Sequence, residues 1–212
     1  LYASLFKRPR HHIAIITALA KKKMGMVREE LLKASRLTDN SDFSKALQEL
    51  EQCGFIHKYS AIGKKTKDAT YQLIDNYTLF YFDFISENTN GDEHFWTSSA
   101  GTSIHYGWAG RAFERVCLQH VKQIKEALGF SAVVSSVHSW YFRGNKDAAT
   151  GKILTRGAQI DMLIDRDDQV INLCEMKFSI GQYAITKAYS AQMQARKGLF
   201  RTLSKTKKAL HL

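Results

Sequence analysis

Two short apolar runs separated by a polar turn constrain the fold of this 212-residue chain more than any other feature. The runs are Ile160–Ile164 and Val170–Cys174, and the segment Asp165–Gln169 between them is rich in turn-forming residues. Short apolar runs that flank a polar turn in this way predict a β-hairpin. We therefore expect a sheet in the C-terminal half of the chain.

Three charged side chains stand where burial in a sheet would disfavour them. Asp161 interrupts the first apolar run, and Glu175 and Lys177 end the second. Because residues two apart lie on one face of a strand, Glu175 and Lys177 share a face. If the turn centres near Asp168, then Asp161 lies opposite Glu175. The sequence thus predicts that one carboxylate from each strand lies beside an ammonium group.

Two neighbouring carboxylates can bind a metal ion. Mg²⁺ and Mn²⁺ are hard cations that prefer oxygen ligands, and such an ion polarises a phosphodiester and lowers the pKa of a bound water. Lys177 would orient that water or stabilise the developing negative charge. Glu114, on a predicted helix Trp108–Leu128, is the candidate third carboxylate. The alternative is a structural hairpin in which Lys177 neutralises Glu175.

The net charge of +11 indicates a polyanionic partner. Residues 111–212 hold 17 basic and 8 acidic side chains, against 14 and 12 in residues 1–110. We expect the partner to be nucleic acid, DNA in particular, bound mainly by the C-terminal half. Arg196, Lys197 and Arg201 are candidate contacts to its backbone. An anionic membrane surface, or solubility alone, is the alternative explanation of the charge.

Composition and cysteine spacing indicate the class and compartment. Hydrophobic residues make up 44% of the chain, enough to bury a sizeable core. No run approaches the roughly 18 apolar residues of a membrane-spanning helix, and the first apolar cluster is too short for a signal peptide. Cys53, Cys117 and Cys174 lie far apart, so neither a disulfide framework nor a thiolate zinc site is expected. These features predict a cytoplasmic protein with no membrane partner.

Residues 1–85 have the element order of a winged helix. Three helices are predicted, then two strands joined by a basic loop: His11–Lys22, Val27–Ala34, Ser41–Cys53, Phe55–Tyr59, Thr70–Leu73 and the loop Gly63–Asp68. An aromatic helix, Asp75–Ile85, is expected to close this domain. Winged helices also serve as packing modules and protein–protein adaptors, and these remain the alternatives to DNA binding.

The third predicted helix and the basic loop supply the candidate DNA contacts of this domain. On the helix, Ser44, Lys45 and Gln48 lie on the outward face and are candidates for the major groove. The loop contributes candidate phosphate contacts, namely Lys64, Lys65 and Lys67.

A polar segment, residues 86–105, is expected to link the first domain to a second one, residues 106–212. In the second domain a strand Ser131–Phe142 and a helix Ile185–Arg201 are predicted on either side of the hairpin. The pair Gly151-Lys152 lacks the spacing and the following hydroxyl of a P-loop, so no ATP site is expected in this chain.

Asp161 followed by Glu175-Met176-Lys177, with Glu114 on the first helix of that domain, resembles the motif of the PD-(D/E)XK nuclease superfamily. The resemblance implies a restriction-endonuclease-like α/β domain, with a mixed sheet flanked by helices, that cleaves nucleic acid with Mg²⁺ or Mn²⁺. Asp161, Glu175 and Glu114 would hold the metal, and Lys177 would assist the attacking water. Ile160 replaces the proline that gives the motif its name.

The whole chain resembles the C-terminal half of the archaeal-type family of prokaryotic P-loop ATPases. The landmarks are Leu5-Phe6 before Ile13–Ile16, and then Tyr71–Asp75, Phe80–Phe82, Gly110–Glu114 and Gly157–Lys177. The resemblance implies an α+β chain, a winged helix-turn-helix followed by the nuclease-like domain. It also implies an ATP-binding module upstream of Leu1, through which the protein could form oligomers. A catalytically inactive DNA-binding module, or a protein-interaction module that regulates the ATPase, is the alternative function.

Overall fold

The computed structural model describes residues 2–22, 24–59, 69–86, 88, 91–147, 150 and 152–212. The chain divides into two compact units, Leu1–Ala100 and Gly101–Leu212, and the boundary lies within the predicted linker. Each unit combines helices with a sheet, so the expected α+β class is confirmed. No helix among these residues is long and apolar enough to cross a membrane.

The first unit contains six α-helices, a π-helical turn and three strands within the described residues. They are α1 Tyr2–Leu5, α2 Arg10–Ala20, β1 Met26–Val27, α3 Arg28–Ser35, α4 Ser41–Gln52, β2 Ile56–Tyr59, β3 Thr70–Leu73, α5 Asn76–Phe80, the π-helical turn Tyr81–Ile85 and α6 Phe95–Ser98. Strand β3 lies between β1 and β2 and pairs antiparallel with both. The predicted helices and strands are present with small shifts of their ends, whereas β1 was not predicted.

Apolar side chains at helical spacing build the core of the first unit. Ile15 of α2, Leu31 of α3 and Leu50 of α4 are fully buried. The side chain of Asn40 begins α4 by accepting a hydrogen bond from the backbone N–H of Phe43 at 2.9 Å, which satisfies an otherwise unpaired donor of the first turn. These contacts fix the buried face of α4 and leave Lys45 and Gln48 exposed.

The aromatic segment predicted as one helix is two different elements. Helix α5 continues into the π-helical turn, where the extra residue per turn changes which side chains face inward. Phe80 and Phe84 pack on Trp96 of α6, at ring-centroid distances of 4.8 and 5.5 Å. Tyr77 is 62% exposed, so the segment is only partly core.

The second unit is built on a four-stranded mixed sheet. Its described elements are α7 Ser103–Gln119, α8 Val121–Ala127, β4 Ser135–Lys146, β5 Ile153–Arg166, β6 Val170–Cys174, α9 Lys187–Ser204 and β7 Ala209–His211. The strand order is β4-β5-β6-β7; the first three strands are antiparallel, and β7 is parallel to β6. Helix α9 connects the two parallel strands. The sequence predicted one helix over residues 108–128, but His120 leaves the helical conformation and divides it into α7 and α8.

The predicted hairpin is the centre of this sheet. Met162 pairs with Cys174 and Asp165 pairs with Ile171, which centres the turn at Asp168 and confirms the predicted register. Met162 and Ile164 pack in a core cluster with Phe130 and Met176, covered by side chains of α7 and α8. The register and this cluster together place the end of β6 beside Asp161.

Candidate functional site

Asp161 is fixed across the hairpin by a backbone hydrogen bond. It lies on β5, one residue beyond the paired positions Met162 and Cys174. Its Oδ2 accepts a hydrogen bond from the N–H of Met176 at 3.0 Å, and Gln159 Nε2 lies 3.5 Å from its Oδ1. Asp161 is therefore held beside the segment of Glu175 and Lys177, as the hairpin register predicts.

Glu175 has donors on both carboxylate oxygens. Its Oε1 accepts from the Tyr189 hydroxyl at 2.6 Å and lies 2.7 Å from Lys177 Nζ. Its Oε2 accepts from an Arg196 guanidinium nitrogen at 2.8 Å. Tyr189 and Arg196 are seven residues apart on α9, two helical turns, and so lie on one face of that helix. The side chain of Glu175 is only 13% exposed, and these donors compensate its buried charge.

This network fixes the protonation states of Glu175 and Lys177. Burial by itself would raise the pKa of Glu175, but the hydrogen bonds from Lys177, Tyr189 and Arg196 hold it below its ordinary value. Burial would lower the pKa of Lys177, but the hydrogen bond and the charge of Glu175 raise it strongly. Glu175 is therefore a carboxylate and Lys177 an ammonium ion at neutral pH.

The other two predicted acids carry like charges that repel. Burial, followed by the charge of Asp161, raises the pKa of Glu114 on α7. Burial also raises the pKa of Asp161, and Glu175 adds to that shift, while the Met176 N–H opposes it. The charges of Glu114, Asp161, Glu175 and Lys177 therefore act on one another. The sequence predicted that these four residues lie near each other.

The donor chemistry of the pair Asp161 and Glu175 fits Mg²⁺ or Mn²⁺. Both side chains offer hard oxygen atoms, and a divalent cation would favour the charged form of Asp161, whose pKa is raised by burial and then by the charge of Glu175. Among the described residues, however, no group of three or more His, Cys, Asp or Glu side chains is arranged to hold a metal ion. The fit is therefore that of two carboxylates, with Glu114 acting through its charge.

The predicted nucleic-acid contacts differ in how free their side chains are. Ser44 Oγ accepts a hydrogen bond from Arg28 at 2.8 Å. Lys45 and Gln48 are exposed, and Lys45 Nζ lies 3.9 Å from Glu49 Oε1. The loop lysines lie outside the described residues: Lys64, Lys65 and Lys67.

The three basic candidates on α9 also have different surroundings. Arg196 belongs to the carboxylate network through its bond to Glu175. Lys197 is half-buried and Arg201 is exposed. Lys197 and Arg201, two of the three predicted contacts to a nucleic-acid backbone, therefore lie outside the hydrogen-bond network of Glu175.

Sequence reasoning missed the part that α9 has in the site. The sequence assigned Tyr189 no role in the site and predicted Arg196 as a contact to a nucleic-acid backbone, yet both donate to Glu175. Their seven-residue spacing on a helix that follows the motif was the available signal. The spacing alone places both residues on one face of the helix but does not show which element that face contacts.

The chain matches no family model, no curated protein and no solved structure. Its function is therefore inferred from the side chains and geometry described above.

Proposed function

We propose that the second unit is a nuclease-like domain of the PD-(D/E)XK type, which binds nucleic acid and hydrolyses phosphodiesters with Mg²⁺ or Mn²⁺. The observation that carries the proposal is the hydrogen bond from Met176 N–H to Asp161, which holds a strand carboxylate beside Glu175 and Lys177. The order of helices, three antiparallel strands, a helix and a parallel strand supports it.

Each residue of the site has a role in this proposal. Asp161 and Glu175 would hold the ion, and the charge of Glu114 would increase the attraction for it. When bound, the ion would polarise the phosphodiester and lower the pKa of a bound water. Lys177 stays protonated because of the raised pKa, so it stabilises the developing negative charge and does not act as a base.

The charge distribution supports nucleic acid as the substrate. The second unit holds the 17 basic and 8 acidic side chains of residues 111–212, and no acid follows Glu175 in the sequence. Lys197 and Arg201, on the helix that carries Tyr189 and Arg196, are the contacts proposed for the phosphate backbone.

A cleavage assay tests the proposal. Labelled duplex DNA, branched DNA and RNA are incubated with the full chain and Mg²⁺ or Mn²⁺. We expect cleavage that Asp161→Asn and Lys177→Ala each reduce by at least about 10²-fold, because each removes charge from the reacting centre. The matched control is Asp165→Asn, a half-buried aspartate of the same strand that pairs with Lys208. The proposal is contradicted if the wild type cleaves no faster than Asp161→Asn and Lys177→Ala do.

For the first unit we propose a winged-helix domain that contacts DNA. The supporting observation is the order α2, β1, α3, α4, β2, β3 with β3 between the other two strands. Lys45 and Gln48 are the contacts we favour, because Ser44 already accepts a hydrogen bond from Arg28. Lys45→Gln combined with Gln48→Ala should weaken DNA binding in a fluorescence-anisotropy titration, whereas Lys33→Gln, an exposed change on α3, should not.

One observation favours a second function, nucleic-acid binding without cleavage. Both oxygens of Glu175 accept hydrogen bonds from cationic or hydroxyl donors, as expected of a carboxylate with a structural role. In that case the chain binds DNA with strong salt dependence. Calorimetry then shows no Mn²⁺ binding that depends on Asp161, so wild type and Asp161→Asn give the same heat.

We also propose that the chain belongs to a prokaryotic ATPase of the archaeal-type family. The motifs quoted above support this. The gene should then encode a P-loop, Gly followed by four residues and Gly-Lys-Ser or Gly-Lys-Thr, upstream of Leu1. Sequencing the gene upstream of that codon tests it, and an upstream open reading frame without a P-loop would refute it.

A further inference from the structure

Arg196 binds one carboxylate oxygen of Glu175, and Lys177 and Tyr189 bind the other. The guanidinium nitrogen lies 2.8 Å from Oε2, while Lys177 and Tyr189 approach Oε1. Glu175 is 13% exposed and Arg196 32% exposed, so the ion pair is largely shielded from water. A shielded charge-assisted hydrogen bond of this kind is stronger than an exposed one.

Arg196 and Lys177 together cancel the charge of the proposed metal ligands. The pair Asp161 and Glu175 carries two negative charges, and the charges of both cations act on Asp161 as well as on Glu175. These two positive groups therefore weaken the attraction of the pair for a divalent cation, against the contribution of Glu114. The divalent cation must also take Oε2 from Arg196 if Glu175 is to use that oxygen as a ligand.

The two cations differ in where they are anchored. Lys177 lies two residues from Glu175 on the same segment, so its backbone moves with that carboxylate. Arg196 reaches Glu175 from α9, across the space between helix and strand. Arg196 is therefore the cation whose position relative to Glu175 depends on the packing of α9, and its side chain can leave Oε2 by rotation without moving the hairpin.

We propose that Arg196 sets the metal affinity of the site by competing with the divalent cation for Glu175. This inference rests on the proposed metal site at Asp161 and Glu175, and it adds a residue that opposes metal binding there. With an ion bound, the guanidinium would release Oε2, and its planar donors would then suit a phosphate group. Arg196 is a positioning residue, because it acts on the ion through Glu175.

Calorimetric titration of the full chain with Mn²⁺, without nucleic acid, tests the inference. Arg196→Met keeps an unbranched apolar stem but removes the charge and the donors, and we expect Mn²⁺ to bind at least about tenfold more tightly than to the wild type. Arg196→Lys keeps the charge but loses the planar fork, and should give an intermediate affinity. Thermal unfolding of each variant checks that it is folded, and the Lys variant serves if the Met variant is not.

Two controls isolate the effect. Lys187→Met removes a positive charge from an exposed position at the start of α9, and should leave the affinity within about twofold. Asp161→Asn should abolish the heat of binding.

The outcomes separate the inference from the proposed function. If the wild type binds Mn²⁺ through Asp161 and Arg196→Met binds it no more tightly, the competition is refuted and the metal site remains. If no variant binds Mn²⁺, or if binding survives Asp161→Asn, the metal site itself is refuted and the inference is refuted with it.

Discussion

Two glycines of the first unit have nearly equal φ angles but different surroundings. Gly25 and Gly54 have φ of +77° and +74°, in the left-handed region that favours glycine. A Cβ at Gly25 would lie 2.4 Å from the carbonyl oxygen of Tyr71, because the chain passes close to β3 there. A Cβ at Gly54 would meet no described atom within 4 Å. Only Gly25 is thus required by a close approach as well as by φ.

We predict that Gly25→Ala destabilises the first unit far more than Gly54→Ala. The change at Gly54 carries the cost of the backbone angle, about 1 kcal/mol, and the change at Gly25 adds a backbone clash that brings the loss to roughly 3 kcal/mol. Hydrogen exchange of the α4 amides in increasing urea measures both losses. Equal losses would show that the approach to Tyr71 is not a constraint.

His57 on β2 makes the stability of the first unit sensitive to acid. Burial lowers the pKa of His57 below its ordinary value of 6.5, although the charge of Glu51 opposes the shift. The unfolded chain therefore binds a proton more readily than the folded chain, so the stabilisation is complete above pH 6.5 and is lost as the pH falls below it. We predict that His57→Gln loses less stability than the wild type between pH 7 and pH 5, as measured by urea unfolding. His94→Gln, an exposed histidine of the same unit, should behave like the wild type.

At the scale of elements, hydrophobic patterning predicted those that bury a periodic face. The hairpin β5–β6 was predicted in its register because two apolar runs flank a polar turn, and a turn centred near Asp168 places Asp161 opposite Glu175. Strand β7 was not predicted, since it follows the basic segment Lys205–Lys208 and spans only Ala209–His211. Its pairing with β6 depends on α9 returning the chain to the sheet, a long-range constraint that local composition does not carry.

Helix α9 is held to the sheet by a buried aromatic contact. Phe200 is fully buried and packs edge-on against Trp140 of β4, with ring centroids 5.4 Å apart. We predict that Phe200→Ala destabilises the second unit by about 3–5 kcal/mol, because it leaves a cavity beneath the helix. Leu203→Ala, on the same helix but 43% exposed, should cost less than about 1 kcal/mol. Hydrogen exchange of the β5 amides measures both changes, and similar losses would contradict the packing argument.

At the scale of the molecule, the sequence predicted which acids meet and that Lys177 lies beside them, but it did not predict the second cation, Arg196. Asp161 and Glu175 could be placed together because strand register is a local property. Arg196 could not be assigned to Glu175, since this contact spans 21 residues and requires the angle between α9 and the sheet. The charge on the site therefore depends on tertiary packing, whereas the charge on each unit can be counted from the sequence.

The unequal charge of the two units leads to a prediction about DNA binding by the whole molecule. Residues 101–212 hold 17 basic and 8 acidic side chains, whereas residues 1–100 hold 14 and 12. We expect the slope of log K against log salt concentration to fall by about 2 when Lys197 and Arg201 are both changed to Gln, since each neutralised phosphate releases about 0.9 counterion. The measurement is an anisotropy titration of the full chain on a short duplex in EDTA.

A double variant of the first unit is the matched control for that slope. Lys21→Gln with Lys33→Gln removes the same charge from two exposed positions in the unit whose charges nearly balance. If the slope reports phosphate contacts of the second unit, this control keeps the wild-type slope. If the slope falls equally for both double variants, DNA binding depends only on the net charge of +11. Lys197 and Arg201 would then not be part of the proposed interface.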